Sequence, residues 1–219
     1  MSFLTEEEKA ALIARINHAE SRTRGEIVTV IAQQSDGYRY IPMLWAALIA
    51  LSIPGLYYLF YTINAGDWIV ETHRLDSAAQ WLYAIQVLVF FGVAMVFQIP
   101  AVRMMFVPQS VKHRRAARHA REQFFLQNLH QTEGRTGVLI FVSVAEHYVE
   151  IIVDSAVAEV VDNGLWESTV DDFIANVRRG KIAAGFENAI EQCRDVLWEH
   201  FPATDDCKSD ELPNHLIEV

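Results

Sequence analysis

The sequence predicts an α/β domain with a mixed sheet, interrupted by a two-helix transmembrane hairpin. Three observations predict it. The 219-residue chain has no charged side chain between Arg39 and Asp67, nor between Asp76 and Arg103. Runs rich in β-branched residues, at 26–32, 136–144 and 148–154, lie on both sides of this uncharged region. Helical patterns with one apolar stripe accompany them. The average composition conceals this division: 52% of residues are apolar, mean hydropathy is +0.13 and formal net charge is −10. Such a chain is neither disordered nor collagen-like. Its acid excess excludes a plain nucleic-acid binder, which needs a basic surface. The two cysteines, Cys193 and Cys207, form no metal motif.

The elements follow in order. Thr5 and Glu8 form a capping box, and Leu12, Ile13, Ile16 and Ala19 recur at helical spacing, so 6–21 is an amphipathic helix. After a turn at 22–25, the segment 26–32 is a buried strand. One helix and one strand cannot bury a core alone, so residues 1–40 need partners from beyond the uncharged region. Residues 41–63 and 80–102 are each long enough for a hydrocarbon core that about 20 apolar helical residues cross. Trp45, Tyr57, Tyr58, Tyr61, Trp81 and Tyr83 sit near the span ends as an interfacial belt would. Pro54 predicts a kink. The connecting segment 64–79 has one arginine, Arg74, whereas Arg103, Lys112, Arg114, Arg115, Arg118 and Arg121 follow the second span. By the positive-inside rule both termini are cytoplasmic, the loop is external, and the protein is a multi-pass protein of the cell (inner) membrane. Lys112, Arg114, Arg115 and Arg118 are either lipid-facing bases or only a topology signal on a solvated helix.

Residues 103–202 complete the domain. A basic helix spans 111–129, anchored by Phe124, Phe125 and Leu129. Strands at 136–144 and 148–154 are close enough for an antiparallel hairpin, while the first two strands are parallel across a long crossover. Helices follow at 155–161, 167–179 and 182–200, the last stopped by Pro202. Acidic and aperiodic, 203–219 reads as a disordered tail.

This topology brings Glu26, Thr136 and Asp154 to one sheet end, with Arg24 and Arg135 in the adjoining turns. Asp154, Glu159, Asp162 and Glu26 are the candidate oxygen ligands for a hard cation, Ca²⁺ or Mg²⁺. The plainer alternative is that Asp154 caps the following helix, Glu26 pairs with an arginine and Asp162 is solvated. Cys193 lies in an amphipathic helix as a core residue. His147 sits in a turn at the opposite sheet end, where a lone histidine is solvated.

Several segments together resemble the TPM domain. They are Glu20-x-x-Thr23-x-x-Glu26 leading into a strand, Thr136-Gly137-Val138-Leu139-Ile140, and 149–154. Trp166 and the closing Arg179-Gly180…Gly185-Phe186…Ala189-Ile190 complete the pattern. The resemblance spans 1–40 and 110–202. It implies a three-layer α/β domain, divalent-metal binding and, for some members, phosphatase activity. Arg24, Arg135 and Thr136 would then be the phosphate-binding residues, the two arginines and a bound metal being the cations that stabilise phosphoryl charge. The sequence thus predicts a membrane-tethered cytoplasmic module for protein interaction or regulation, its partners being the bilayer and a membrane-associated protein. The alternative is a metal-dependent phosphatase.

Overall fold

A computed structural model describes residues 3–64, 72–132, 134–161, 163–203 and 216–219. In chain order the elements are α1 (Glu6–Glu20), β1 (Glu26–Ala32), α2 (Tyr40–Asn64), α3 (Thr72–Val96), α4 (Pro100–Phe106), α5 (Gln109–Leu126), β2 (Gly137–Ser143), β3 (Tyr148–Val153), α6 (Ser155–Val160), α7 (Asn163–Arg178), α8 (Ile182–His200) and β4 (Leu216–Glu218). They form two compact units: Met1–Asp36 with Gln109–Val219, and Gly37–Pro108.

The first unit is built on one four-stranded sheet in the order β3-β2-β1-β4. β1 and β2 are parallel, with Glu26 opposite Gly137 and Ala32 opposite Ser143. β2 and β3 are antiparallel, from Val138 opposite Val153 to Ser143 opposite Tyr148. Every residue of β1 and β2 is buried, which is why both read as predominantly apolar runs rather than alternating ones. Alternation sorts them between two layers. Ile27, Ile31, Val138, Ile140 and Val142 pack with Leu12 and Ile16 of α1, Phe173 of α7, and Phe186, Ile190 and Leu197 of α8. Val28, Val30, Leu139 and Phe141 pack on the other side with Ala120 and Phe124 of α5 and with Leu129. Helices therefore cover both faces. The capping box of α1 is present, the Thr5 hydroxyl accepting from the Glu8 N–H while the Glu8 carboxylate accepts from the Thr5 N–H.

The tail departs from expectation at its end. Residues 204–215 lie outside the described residues, but Leu216–Glu218 is a strand, not a disordered segment. It runs parallel to β1, Thr29 to Ile31 opposite Leu216 to Glu218. The Val219 N–H donates to Ile31 O and the Gln33 N–H to Val219 O, each at 3.0 Å. An uncovered β1 would be an edge of unpaired backbone groups on a wholly buried strand, and the tail pairs with its Thr29 to Ile31 stretch.

In the second unit α2 and α3 pack on each other. Tyr40–Ile63 is long and apolar enough to cross a membrane. Gln80–Val96 qualifies only when taken together with Pro100–Phe106, from which it is bent by 105°. The second span expected at 80–102 is thus broken. Pro100 lacks an N–H and cannot continue α3, but it suits the first position of α4. Residues 65–71 of the expected external loop 64–79 lie outside the described residues.

Candidate functional site

The sheet end at the start of β1 and β2 was the candidate site. Glu26, Gly137 and Asp154 form a row there, since Glu26 faces Gly137 and the Asp154 N–H donates to Gly137 O at 2.9 Å. With strands about 4.8 Å apart, the two acidic residues stand about 10 Å apart at Cα. Gly137 between them is obligatory, because a Cβ there would lie 2.7 Å from the Leu129 carbonyl oxygen. Glu26 and Asp154 are both buried. Asp154 caps α6, its Oδ1 accepting from the Ser155 N–H at 2.6 Å. Its Oδ2 is buried with no hydrogen-bond partner among the described residues.

The other predicted residues are distributed differently. Glu159 is exposed on α6, and Asp162 lies outside the described residues. No group of three or more His, Cys, Asp or Glu side chains placed to share a metal occurs among the described residues. Thr136 is buried and its hydroxyl donates to Arg24 O at 2.8 Å, tying the turn before β1 to the turn before β2. Arg24 and Arg135 are exposed beside that tie, Arg135 with a positive φ of 49°. Of the α5 bases, Arg115 is paired with Asp36 at 3.1 Å, Lys112 is half-buried, and Arg114 and Arg118 are exposed.

The Glu20…Thr23…Glu26 pattern acts as a structural lock. The Glu20 carboxylate accepts from the Ile27 N–H at 2.7 Å. The Thr23 hydroxyl donates to Phe201 O at 2.6 Å and accepts from the Gly25 N–H at 3.0 Å. This fastens the turn between α1 and β1 to the end of α8. Gly25 has no room for a side chain, since a Cβ would lie 2.6 Å from Leu197.

Two polar groups were not foreseen. In the β2–β3 turn Glu146 is buried. It accepts from the Ser35 N–H at 3.1 Å and from the Ser143 hydroxyl, while the Ser35 hydroxyl donates to Ser143 Oγ at 2.7 Å. The network clamps the segment after β1 to the turn after β2. On β3, the Tyr148 hydroxyl donates to Glu150 at 3.0 Å. Burial holds the Glu150 carboxyl above its ordinary value, against the opposing Tyr148 hydrogen bond and the Arg121 charge. Burial and the Glu150 charge likewise push the Tyr148 hydroxyl upward. Neither group was legible, because a Glu in a turn and a Glu in a strand both read as solvated. Only the Ser-x-x-Glu spacing of 143–146 hinted at the first.

A mixed sheet covered by helices on both faces, its chain interrupted by an inserted apolar helical unit, defines a three-layer α/β protein. Within it, residues 100–196 match the family model described as the TPM domain. The fold is also similar to the NMR structure of the BA42 protein from the psychrophilic bacterium Bizionia argentinensis. The match has a TM-score of 0.56 and 20% identity, covering 100% of this chain and 97% of that one. At that identity the likeness speaks to the fold alone. No curated protein matches significantly.

Proposed function

We propose that this chain is a TPM module tethered to a membrane by its inserted helical unit, and that it serves protein interaction or regulation at the membrane surface. The observation that carries the reading is the exposure of the inserted unit. Along α2, Met43, Leu48, Leu51, Leu56 and Phe60 are exposed, Phe60 by 68%; along α3, Trp81, Leu88, Phe91 and Met95 are exposed, Leu88 by 73%. Soluble proteins rarely expose contiguous apolar patches of more than a few hundred Å². Helices satisfy their own backbone groups, so lipid can cover these two. The lysine and arginine distribution favours a hairpin with both termini cytoplasmic in the inner membrane. Alkaline carbonate extraction of membranes tests the tether: the chain stays in the pellet on this reading and is released if α2 and α3 do not insert. Reporter fusions at both ends test the orientation, and crosslinked pull-down from native membranes identifies the partner.

One observation favours a second reading, the buried Asp154 Oδ2 without a partner among the described residues, in one row with Glu26. Two carboxylates and water oxygens suit a hard cation such as Ca²⁺ or Mg²⁺. A bound cation there, with Arg24, Arg135 and Thr136 beside it, would supply charge for a metal-dependent phosphatase. Release of phosphate from p-nitrophenyl phosphate, dependent on the cation and lost in Asp154→Ala, would support it. Its absence under all cation conditions would leave the tethered module alone.

A further inference from the structure

The elbow between α3 and α4 holds a cavity of about 390 Å³, within the range of about 300–1,000 Å³ for ligand sites. Its polar lining is Arg39, Gln98 and Arg103, and its apolar lining includes Pro42, Met43 and Phe97. The elbow is fixed by aromatic contacts. The Phe97 and Phe106 rings meet edge-on at 5.0 Å, the Trp45 ring lies 6.5 Å from Phe106, and the Trp45 Nε1–H donates to Phe106 O at 3.3 Å. These contacts hold α4 against the first turns of α2, so Arg103 on α4 and Arg39 before α2 line one cavity. Among the described residues neither arginine is in a salt bridge, and the Arg103 Nε is buried without a hydrogen-bond partner. A buried donor left unpaired is costly, so this is a site prepared for an acceptor.

We infer that this elbow binds the phosphate of an anionic phospholipid. The chemistry is that of two guanidinium forks and an amide, which pair in bidentate fashion with phosphate oxygens. Among the described residues the lining contains no carboxylate to hold the ammonium of a zwitterionic headgroup. The inference rests on the membrane reading of α2 and α3. On that reading Arg39 stands just before α2 enters and Gln98 just after α3 leaves, at headgroup depth. The 105° bend then lays α4 along the interface, with Ile99, Met105 and Phe106 exposed towards the acyl region. Met43 and Phe97 supply the apolar side of a site for a lipid rather than for a free ion.

The test uses the full chain in nanodiscs of phosphatidylcholine and phosphatidylglycerol in a four-to-one ratio, with retained lipid counted by native mass spectrometry. Wild type should hold phosphatidylglycerol over phosphatidylcholine. Arg39→Gln with Arg103→Gln should lose about 30-fold of that preference, the combined contribution of two basic residues near an anionic surface. Arg178→Gln with Arg179→Gln removes the same charge elsewhere and should change nothing. Should the glutamine pair fail to fold, Arg39→Lys with Arg103→Lys is read in its place and must bind several-fold more weakly than wild type. Unchanged lipid preference in the variant read overturns the proposal. Displacement of the lipid by millimolar inorganic phosphate would assign the site to a free anion and overturn the lipid source. Carbonate extraction separates the two readings. A chain released by carbonate refutes the membrane tether and this inference together. A chain that stays in the membrane with an unselective elbow refutes the inference alone.

Discussion

Gly185→Ala sets two effects of opposite sign against each other. Gly185 lies inside α8, where alanine is favoured over glycine by about 1 kcal/mol. On propensity alone the change should stabilise. But a Cβ at this position would lie 2.3 Å from two ring carbons of Phe173. Carbon pairs prefer about 3.5–4.0 Å, so the contact is more than about 1 Å too short. The Phe173 ring cannot swing clear, because it is 1% exposed and packs edge-on against Phe186 at 4.9 Å and 77°. Overpacking of this kind costs about 1–3 kcal/mol, and disturbing the aromatic pair adds about 0.5–1.5 kcal/mol. After the propensity gain, a net loss of about 1–3 kcal/mol is expected. Urea unfolding of the full chain in detergent, with hydrogen exchange of the α7 and α8 amides, measures it. Phe173→Leu in the same background should recover part of the loss, giving a coupling energy of about 1 kcal/mol between the two sites. A Gly185→Ala protein as stable as wild type would refute the reasoning, because α7 and α8 would then not be in steric contact there.

Deleting residues 216–219 should lower stability by about 1–3 kcal/mol, since hydrogen bonds are worth about 0.5–1.5 kcal/mol each, and should speed hydrogen exchange at Gln33; unchanged exchange would mean that β4 contributes nothing. The raised Glu150 carboxyl favours folding in its protonated form. That contribution is present below the ordinary value of 4.5 and lost as pH rises through the raised folded value. Glu150→Gln should therefore gain on wild type as pH is raised from about 4 to 7, and parallel pH–stability curves would count against it. Burial pushes the Cys193 thiol up to about 12, so it should resist iodoacetamide at mildly alkaline pH until the chain unfolds, as peptide mass spectrometry can read.

How much of this was legible depended on whether a residue's neighbours in sequence were also its neighbours in space. β1, β2 and β3 were read at nearly their observed bounds, because the wholly buried β1 and β2 and the half-buried β3 are all rich in β-branched residues. Their parallel and antiparallel pairing followed from connection length. Pairing of that kind places Glu26, Thr136 and Asp154 at one sheet end from the sequence alone. β4 was not legible, because Leu216–Glu218 is short, follows an acidic stretch and owes its strand form to the β1 edge. α4 was missed because hydropathy runs through Pro100 without marking the bend. The burial of Glu146 comes from Ser35, more than a hundred residues earlier, and no local pattern encodes it. The conspicuous basic run of α5 was legible as charge, but not the pairing of Arg115 with Asp36. Glu20 and Thr23 carried a family resemblance, and the structure gives each a hydrogen-bonding task. Motif and catalytic site are therefore separate questions in this chain.

Asp154 can decide between the two readings of the sheet end, because its two oxygens do different things. Oδ1 accepts from the Ser155 N–H as an N-cap, while Oδ2 is buried without a partner among the described residues. Asparagine caps a helix nearly as well as aspartate, whereas alanine costs about 0.5–2 kcal/mol. In a chelator, Asp154→Asn should therefore melt near wild type and Asp154→Ala below it. A cation that binds only the folded state adds RT ln(1 + [L]/Kd), about 2.7 kcal/mol at a hundredfold excess over Kd. If the second carboxylate oxygen serves a cation, Ca²⁺ or Mg²⁺ should raise the wild-type melting temperature and leave both variants unmoved. Asparagine, equal to wild type in chelator, would then fall behind it only when the ion is present. Glu26→Gln should lose the same response, since it supplies the other carboxylate of the row. If wild type and Asp154→Asn respond identically to the ions, the carboxylate is a helix cap only. The tethered module would then act through its surface rather than through a metal.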